Sequence, residues 1–177
     1  VAETFVALLR GINVGKAKRI AMAELRALVE SLGHGEVRTL LNSGNVVFKA
    51  RAGTEASHGK ALSAAIEKKF GFSVAVVVVS APELGAIIKA SPREASDPAR
   101  YLVAFAPDAA TLGKAKPLLK QSWAPDSLAL GKRAAYAWCA SGIADSKLLL
   151  ALSRATDNQV TARNWATVLK LQEMTSP

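Results

Sequence analysis

Two stretches of this chain, Phe5-Val6-Ala7-Leu8-Leu9 and Val74-Ala75-Val76-Val77-Val78-Val79, are apolar at every position. Side chains alternate between the faces of a strand, so a strand without polar residues must be covered on both faces. The first run extends back to Thr4 and reads as a buried strand. A sheet built on two such strands has no face open to solvent. The sequence therefore argues against the arrangement in which an RNA-recognition module stacks bases on sheet aromatics. Cover is expected from the second half of the chain or from its last helix, which leaves loops rather than the sheet to bind a ligand.

Between the two runs the pattern changes period twice. Met22, Leu25, Leu28, Val29 and Leu32 recur at helical spacing, with Gly33 and Gly35 ending the helix. Val37 to Leu41 and Val46 to Lys49 flank Asn42-Ser43-Gly44-Asn45 and read as a hairpin. Leu62, Ile66 and Phe70 mark a second helix, stopped by Gly71, and the valine strand follows. Strand, helix, two hairpin strands, helix, strand is the split βαβ order of a ferredoxin-like domain.

Pro92 to Arg100 is polar and holds two prolines, as a linker does. This places a first domain at residues 1–92, a linker at 93–100 and a second, partly similar α/β domain at 101–177. In the second, Tyr101 to Ala106 reads as a strand, and Leu112, Ala115, Leu118 and Leu119 as a helix. A hairpin from Leu128 to Cys139 turns at Gly131-Lys132, one helix starts near Asp145, and a final helix follows Thr161. The fold class expected is α+β, two ferredoxin-like (split βαβ) halves with a C-terminal helix packing on the body.

This order has a geometric consequence for Leu9-Arg10-Gly11-Ile12-Asn13-Val14-Gly15 and for the Asn42–Asn45 turn. In a split βαβ sheet the first and third strands are neighbours, and the exit of the first lies at the same end as the hairpin turn. Residues 10–15 should therefore touch residues 43–45.

The chain carries 23 Lys and Arg against 14 Asp and Glu, a formal charge of +9 spread over both halves. Such an excess favours anionic partners without choosing among them. One cysteine, Cys139, excludes an internal disulfide and a multi-cysteine zinc site, and fits a reducing, cytoplasmic setting. His34 and His58 suggest no role. No run approaches the roughly 20 apolar residues of a membrane span, and no secretory signal pattern opens the sequence. No cofactor, metal site or membrane partner is implied.

The strings ALLRGINVG, MAELR, SGNVVF, SKL and TARNWATVLKL, in this order, resemble an uncharacterised bacterial family, the domain of unknown function 1697. The resemblance covers nearly the whole chain. It implies two α/β halves of ferredoxin-like character and no established activity. Its pattern falls on Arg10, Gly11, Asn13, Gly15, Ser43, Gly44, Asn45, Ser146, Lys147, Thr161, Arg163, Asn164 and Trp165. Two positions depart from it: the family commonly has glycine where Lys16 stands and asparagine where Ala166 stands. The first departure adds charge, and the second removes a polar group beside Asn164.

Arg10, Lys16, Lys18 and Arg19 place four cations in ten residues with no acid among them, just before a helix amino end. Such loops suit phosphate or carboxylate. The spacing is neither a Walker A loop nor a dinucleotide fingerprint. The same residues also serve as turn formers: Gly11 and Gly15 supply positive φ, Asn13 bonds nearby backbone, and the lysines are solvated. Ser43 lacks a base and reads as a hydrogen-bond donor rather than a nucleophile. Thr161 reads as the last helix's cap, with Arg163 and Asn164 in its first turn, where a cation opposes the helix dipole. Trp165, Val168 and Leu169 form its apolar stripe, while Tyr136 and Trp138 read as packing residues.

The leading expectation is binding of an anionic small ligand, phosphorylated or nucleotide-like. The candidate residues are Arg10, Gly11, Asn13, Gly15, Lys16, Ser43, Gly44, Asn45, Arg163 and Asn164. Sequence-independent binding of a nucleic-acid backbone is the alternative, and weak affinity of that kind follows from +9 alone. An enzyme of unidentified reaction is the third reading. Against it counts a scarcity of candidate bases: Glu24, Asp145 and Asp157 could serve, but none has a paired partner visible in the sequence.

Overall fold

The computed structural model describes residues 1–94 and 96–177. The chain divides into two compact units, residues 1–84 with 171–177, and residues 85–170. The expected linker, residues 93–100, includes residue 95, which lies outside the described residues.

The first unit contains β1 (Glu3–Leu9), α1 (Met22–Ser31), β2 (Gly35–Leu40), β3 (Asn45–Ala50), α2 (Glu55–Phe70) and β4 (Val76–Ser80). Its sheet is antiparallel, in the order β2-β3-β1-β4. β1 lies in the middle, with Phe5 opposite Phe48, Leu8 opposite Asn45 and Leu9 opposite Val76. Phe5, Ala7 and Leu9 face the helices, where they pack with Phe48, Val78, Leu25, Val29, Leu62 and Ile66. The alternate residues Val6, Leu8, Val47, Val77 and Val79 point the other way and are equally buried. A central strand apolar on both faces is what the first run of sequence requires. Each fully buried Leu or Phe stabilises by about 1.5–3 kcal/mol.

Local chemistry sets the helix limits. Thr54 and Ser57 cap α2 reciprocally, Thr54 Oγ1 accepting from Ser57 N at 3.1 Å and Ser57 Oγ from Thr54 N at 2.8 Å. Gly71, at φ 79°, closes the same helix in the left-handed conformation. α3 (Ala81–Lys89) follows β4 directly. The sequence reading missed this helix, although Leu84, Ile87 and Ile88 stand at helical spacing.

The second unit repeats the order with β5 (Tyr101–Phe105), α4 (Ala109–Gly113), a 3-10 turn (Lys116–Lys120), β6 (Ser127–Leu130), β7 (Ala134–Trp138), α5 (Lys147–Ala155) and β8 (Thr161–Asn164). The sheet runs β6-β7-β5-β8 and is also antiparallel. Its core is built from small residues, Ala104, Ala106, Ala135 and Ala137, with Leu102, Leu112, Leu148 and Leu152. The protein is thus α+β, two split βαβ halves followed by a C-terminal helix, α6 (Trp165–Thr175).

Three expectations are corrected here. The helix expected through Leu112–Leu119 breaks in two, because Pro117 lacks an N–H and its ring crowds the carbonyl four residues back, at Gly113. Leu119 is consequently half exposed. Thr161 is not a helix cap, since Thr161–Asn164 pairs with β5, Thr161 opposite Phe105 and Asn164 opposite Leu102. The cap of α6 is Asn164, whose Oδ1 accepts from Thr167 N at 2.9 Å. Arg163 therefore lies on a strand, and its expected conflict with a helix dipole does not arise. Within α6, Val168 and Leu171 are buried while Leu169 is exposed, so the apolar stripe runs one residue away from the expected one.

Candidate functional site

β1 leaves the sheet held on both sides. Leu9 N donates to Gly44 O and Arg10 N to Ala75 O, both at 2.9 Å. The connection to α1 then closes on itself. Asn13 Oδ1 accepts from Ile20 N at 2.8 Å, while its amide group donates to Ile20 O at 2.9 Å and to Asn42 O at 2.8 Å. Asn13 N donates to Lys18 O at 3.1 Å. Ile12 and Ile20 are buried at the two ends of this ring. Four residues adopt positive φ: Gly11 at 69°, Asn13 at 56°, Gly15 at 64° and Lys18 at 50°. Left-handed backbone costs roughly 1–2 kcal/mol at residues with a Cβ, least at asparagine, which explains Asn13 better than it explains Lys18.

The facing turn is equally determined. Asn45 opens β3 fully buried, and its amide group donates to Leu40 O at 2.8 Å and to Ser43 Oγ at 3.0 Å. Gly44 sits at φ 90°, where a Cβ would lie 2.8 Å from both Ile12 Cδ1 and Leu9 Cβ. The Arg10 loop and the Asn42–Asn45 turn are therefore in direct contact, as the split βαβ order requires.

This contact sorts the candidate residues. Asn13 and Asn45 use both amide hydrogens inside the protein, so they shape the site rather than present donors to a ligand. Gly11, Gly15 and Gly44 supply backbone conformation. Ser43 accepts from Asn45 instead of acting only as the expected donor.

The cations remain. Arg10 is half-buried, and desolvation lowers its pKa, although a guanidinium stays charged at neutral pH. Lys16 and Arg19 are exposed, Arg19 donating to Gly15 O at 3.3 Å, and Lys18 Nζ reaches Ser73 O at 2.9 Å. No acidic residue interrupts residues 10–19, and among the described residues Lys16, Lys18 and Arg19 enter no ion pair. The loop leads into α1, whose N-cap residue, Ala21, makes no side-chain cap hydrogen bond. By contrast α2, α4 and α5 are capped by Thr54, Asp108 and Ser146.

Arg163 and Asn164 belong to the second unit. Arg163 is buried, which lowers its pKa to about 10, and its Nη1 donates to Thr161 Oγ1 at 2.8 Å and to Ala162 O at 2.9 Å. Asn164 is occupied as the cap of α6. At the start of α5, Ser146 Oγ accepts from Leu149 N at 3.2 Å and donates to Asp126 Oδ2 at 3.1 Å, while Lys147 is exposed. Cys139 is buried beside Ser146, and burial pushes its thiol pKa up, the opposite of a reactive thiolate. No group of three or more His, Cys, Asp or Glu among the described residues could hold a metal ion, and no helix among them is long and apolar enough to cross a membrane.

The chain belongs to the family described as protein of unknown function (DUF1697), whose profile matches residues 2–136. The strings at Ser146–Leu148 and Thr161–Leu171 lie beyond that match. Among solved structures, the chain resembles the conserved bacterial protein SP0830 from Streptococcus pneumoniae at 25% sequence identity and a TM-score of 0.82, covering 99% of this chain and 100% of the other. No curated protein matches.

Proposed function

We propose that the protein binds an anionic small ligand, phosphorylated or nucleotide-like, at the Arg10–Arg19 loop. The observation that carries the reading is one arrangement: a basic, acid-free loop, fixed by Asn13, that runs into a helix start without a side-chain cap. Exposed Lys16 and Arg19 supply charge, and N–H groups of the first turn of α1 supply donors. The Asn42–Asn45 turn serves as the wall that holds the loop in shape. Arg10, half-buried, contributes a fixed positive field more than a direct contact.

Calorimetric titration with pyrophosphate and with a nucleoside diphosphate tests this. One ligand per chain is expected, with affinity falling about tenfold in Lys16→Ala and again in Arg19→Ala, since hydrogen bonds to charged groups contribute about 1.5–3 kcal/mol. Melting temperatures of both variants should stay at the wild-type value. Binding to duplex DNA would instead carry a slope of about −0.9 in log K against log salt for each phosphate neutralised. A steep slope, with affinity that survives both substitutions, would replace the small-ligand reading by nucleic-acid backbone binding.

A further inference from the structure

His34 and His58, which sequence alone leaves without a role, meet in the first unit at the end of β1 remote from Arg10. The His58 ring lies edge-on to Phe5, with centroids 4.6 Å apart, to Phe48 at 5.5 Å and to His34 at 5.0 Å. His34 in turn covers Phe48 at 4.6 Å. His58 stands on the first turn of α2 and is only 6% exposed. Its Nε2 has no hydrogen-bond partner. That nitrogen faces Gly53, where even a Cβ would lie 2.8 Å away.

We propose that this four-ring cluster is an acid-sensitive latch, which holds the Arg51–Thr54 connection and the first turn of α2 against the sheet and releases them when an imidazole takes up a proton. A protonated imidazole carries an N–H on both nitrogens, and nothing beside Nε2 of His58 accepts one. A charge there is also desolvated, stands 5.0 Å from a second imidazole and sits at the positive end of a helix.

The charges facing the cluster do little to offset this. A hydrogen bond to the Ala52 backbone and, from β1, the charge of Glu3 favour the proton on His58 without overcoming its burial. From β2 and β3, Glu36 and Lys49 pair with each other at 3.0 Å, and from α1, Arg26 and Glu30 pair at 2.8 Å. From α2, the Glu55 carboxylate is engaged by Ser80 N at 2.7 Å. Burial accordingly dominates and holds both histidines below their ordinary range. A base whose folded pKa is depressed stabilises the packed state fully above its unfolded value, about 6.5, and loses that contribution as pH falls.

The direct test is hydrogen exchange of the full chain at pH 7.5 and pH 5.0, read as protection relative to the intrinsic exchange rate. Protection at the amides of residues 53–60 should fall at pH 5.0, approaching about thirtyfold if one ring titrates, while β1 and β3 amides near the Arg10 loop hold theirs. His58→Phe, which keeps a ring and cannot take a proton, should abolish most of the change. If that variant does not fold, His34→Phe should reduce it. Equal wild-type protection at the two pH values would overturn the latch, as would a full pH response that persists in the phenylalanine variant that folds.

Discussion

The two halves of the protein solve the same topological problem with different amounts of chain. In each, the first strand exits beside the hairpin turn of the third: Leu9 N donates to Gly44 O at 2.9 Å, and Ala106 N donates to Arg133 O at 3.1 Å. In the second half only Ala106–Asp108 separates strand from helix, and Arg133 closes the contact by returning Nε and Nη2 to Ala106 O at 3.3 and 3.2 Å. In the first half residues 10–21 fill the same connection, with a ring closed by Asn13 and four positive φ angles. The meeting of loop and turn is therefore a property of the split βαβ order and by itself says nothing of function. What needs explaining is the extra, basic length in one half.

The sharpest way to break this comparison is at the two turn glycines. Gly44→Ala should destabilise by about 4 kcal/mol, combining left-handed strain with overlap against Leu9 and Ile12. Gly131→Ala, at ordinary φ and 3.1 Å from the Tyr136 ring, should cost about 1 kcal/mol. Equal losses in urea unfolding would mean that the two turns are built alike after all.

Next in size is Asn13→Ala, which removes three hydrogen bonds and leaves a Cβ residue at φ 56°, a loss of about 3 kcal/mol. The same variant should make the amides of residues 13–20 exchange faster. A melt unchanged from wild type would show that the loop is held by something other than this ring.

Asp108 in the short connection gives the smallest effect. Its carboxylate accepts from Thr111 N at 2.7 Å, the main reason that it stays ionised below the usual carboxylate range. Asp108→Ala should cost about 1 kcal/mol, as helix caps do. Because the folded pKa is depressed, that contribution is complete above the unfolded value, about 3.9, and is lost as pH falls further. The wild-type and variant stability curves should converge in acid.

The difference between the halves also marks how far sequence reaches. Doubly apolar strands and helical spacing were enough for the first sheet, its order and the contact between residues 10–15 and 43–45. β8 was hidden because Thr161-Ala162-Arg163-Asn164 is short and polar and leads straight into the helical spacing of α6, so that Thr161 resembled a cap. Pairing with β5, a long-range interaction, decides its conformation. At the candidate site, residue types suggested donors, yet Asn13 and Asn45 turn their amides inward. Only coordinates show whether a polar side chain serves the backbone or a ligand, since both uses select the same residues. The histidine cluster had no local signal at all: His34 and His58 are 24 positions apart in sequence, and a β-strand pair brings them together.

The hydrogen bond from Lys18 to Ser73 O gives two neighbouring amines unequal chemical reactivity. An acylating reagent needs an amine lone pair that can approach freely. Lys16 offers one from an exposed turn, whereas Lys18 must first break its tie to the backbone between α2 and β4. Mild acylation should therefore mark Lys16 ahead of Lys18, so that the loop carries an internal reference. A ligand that covers Lys16 lowers the Lys16 label, whereas loss of the Ser73 tie raises the Lys18 label, so the two changes are told apart by which amine responds.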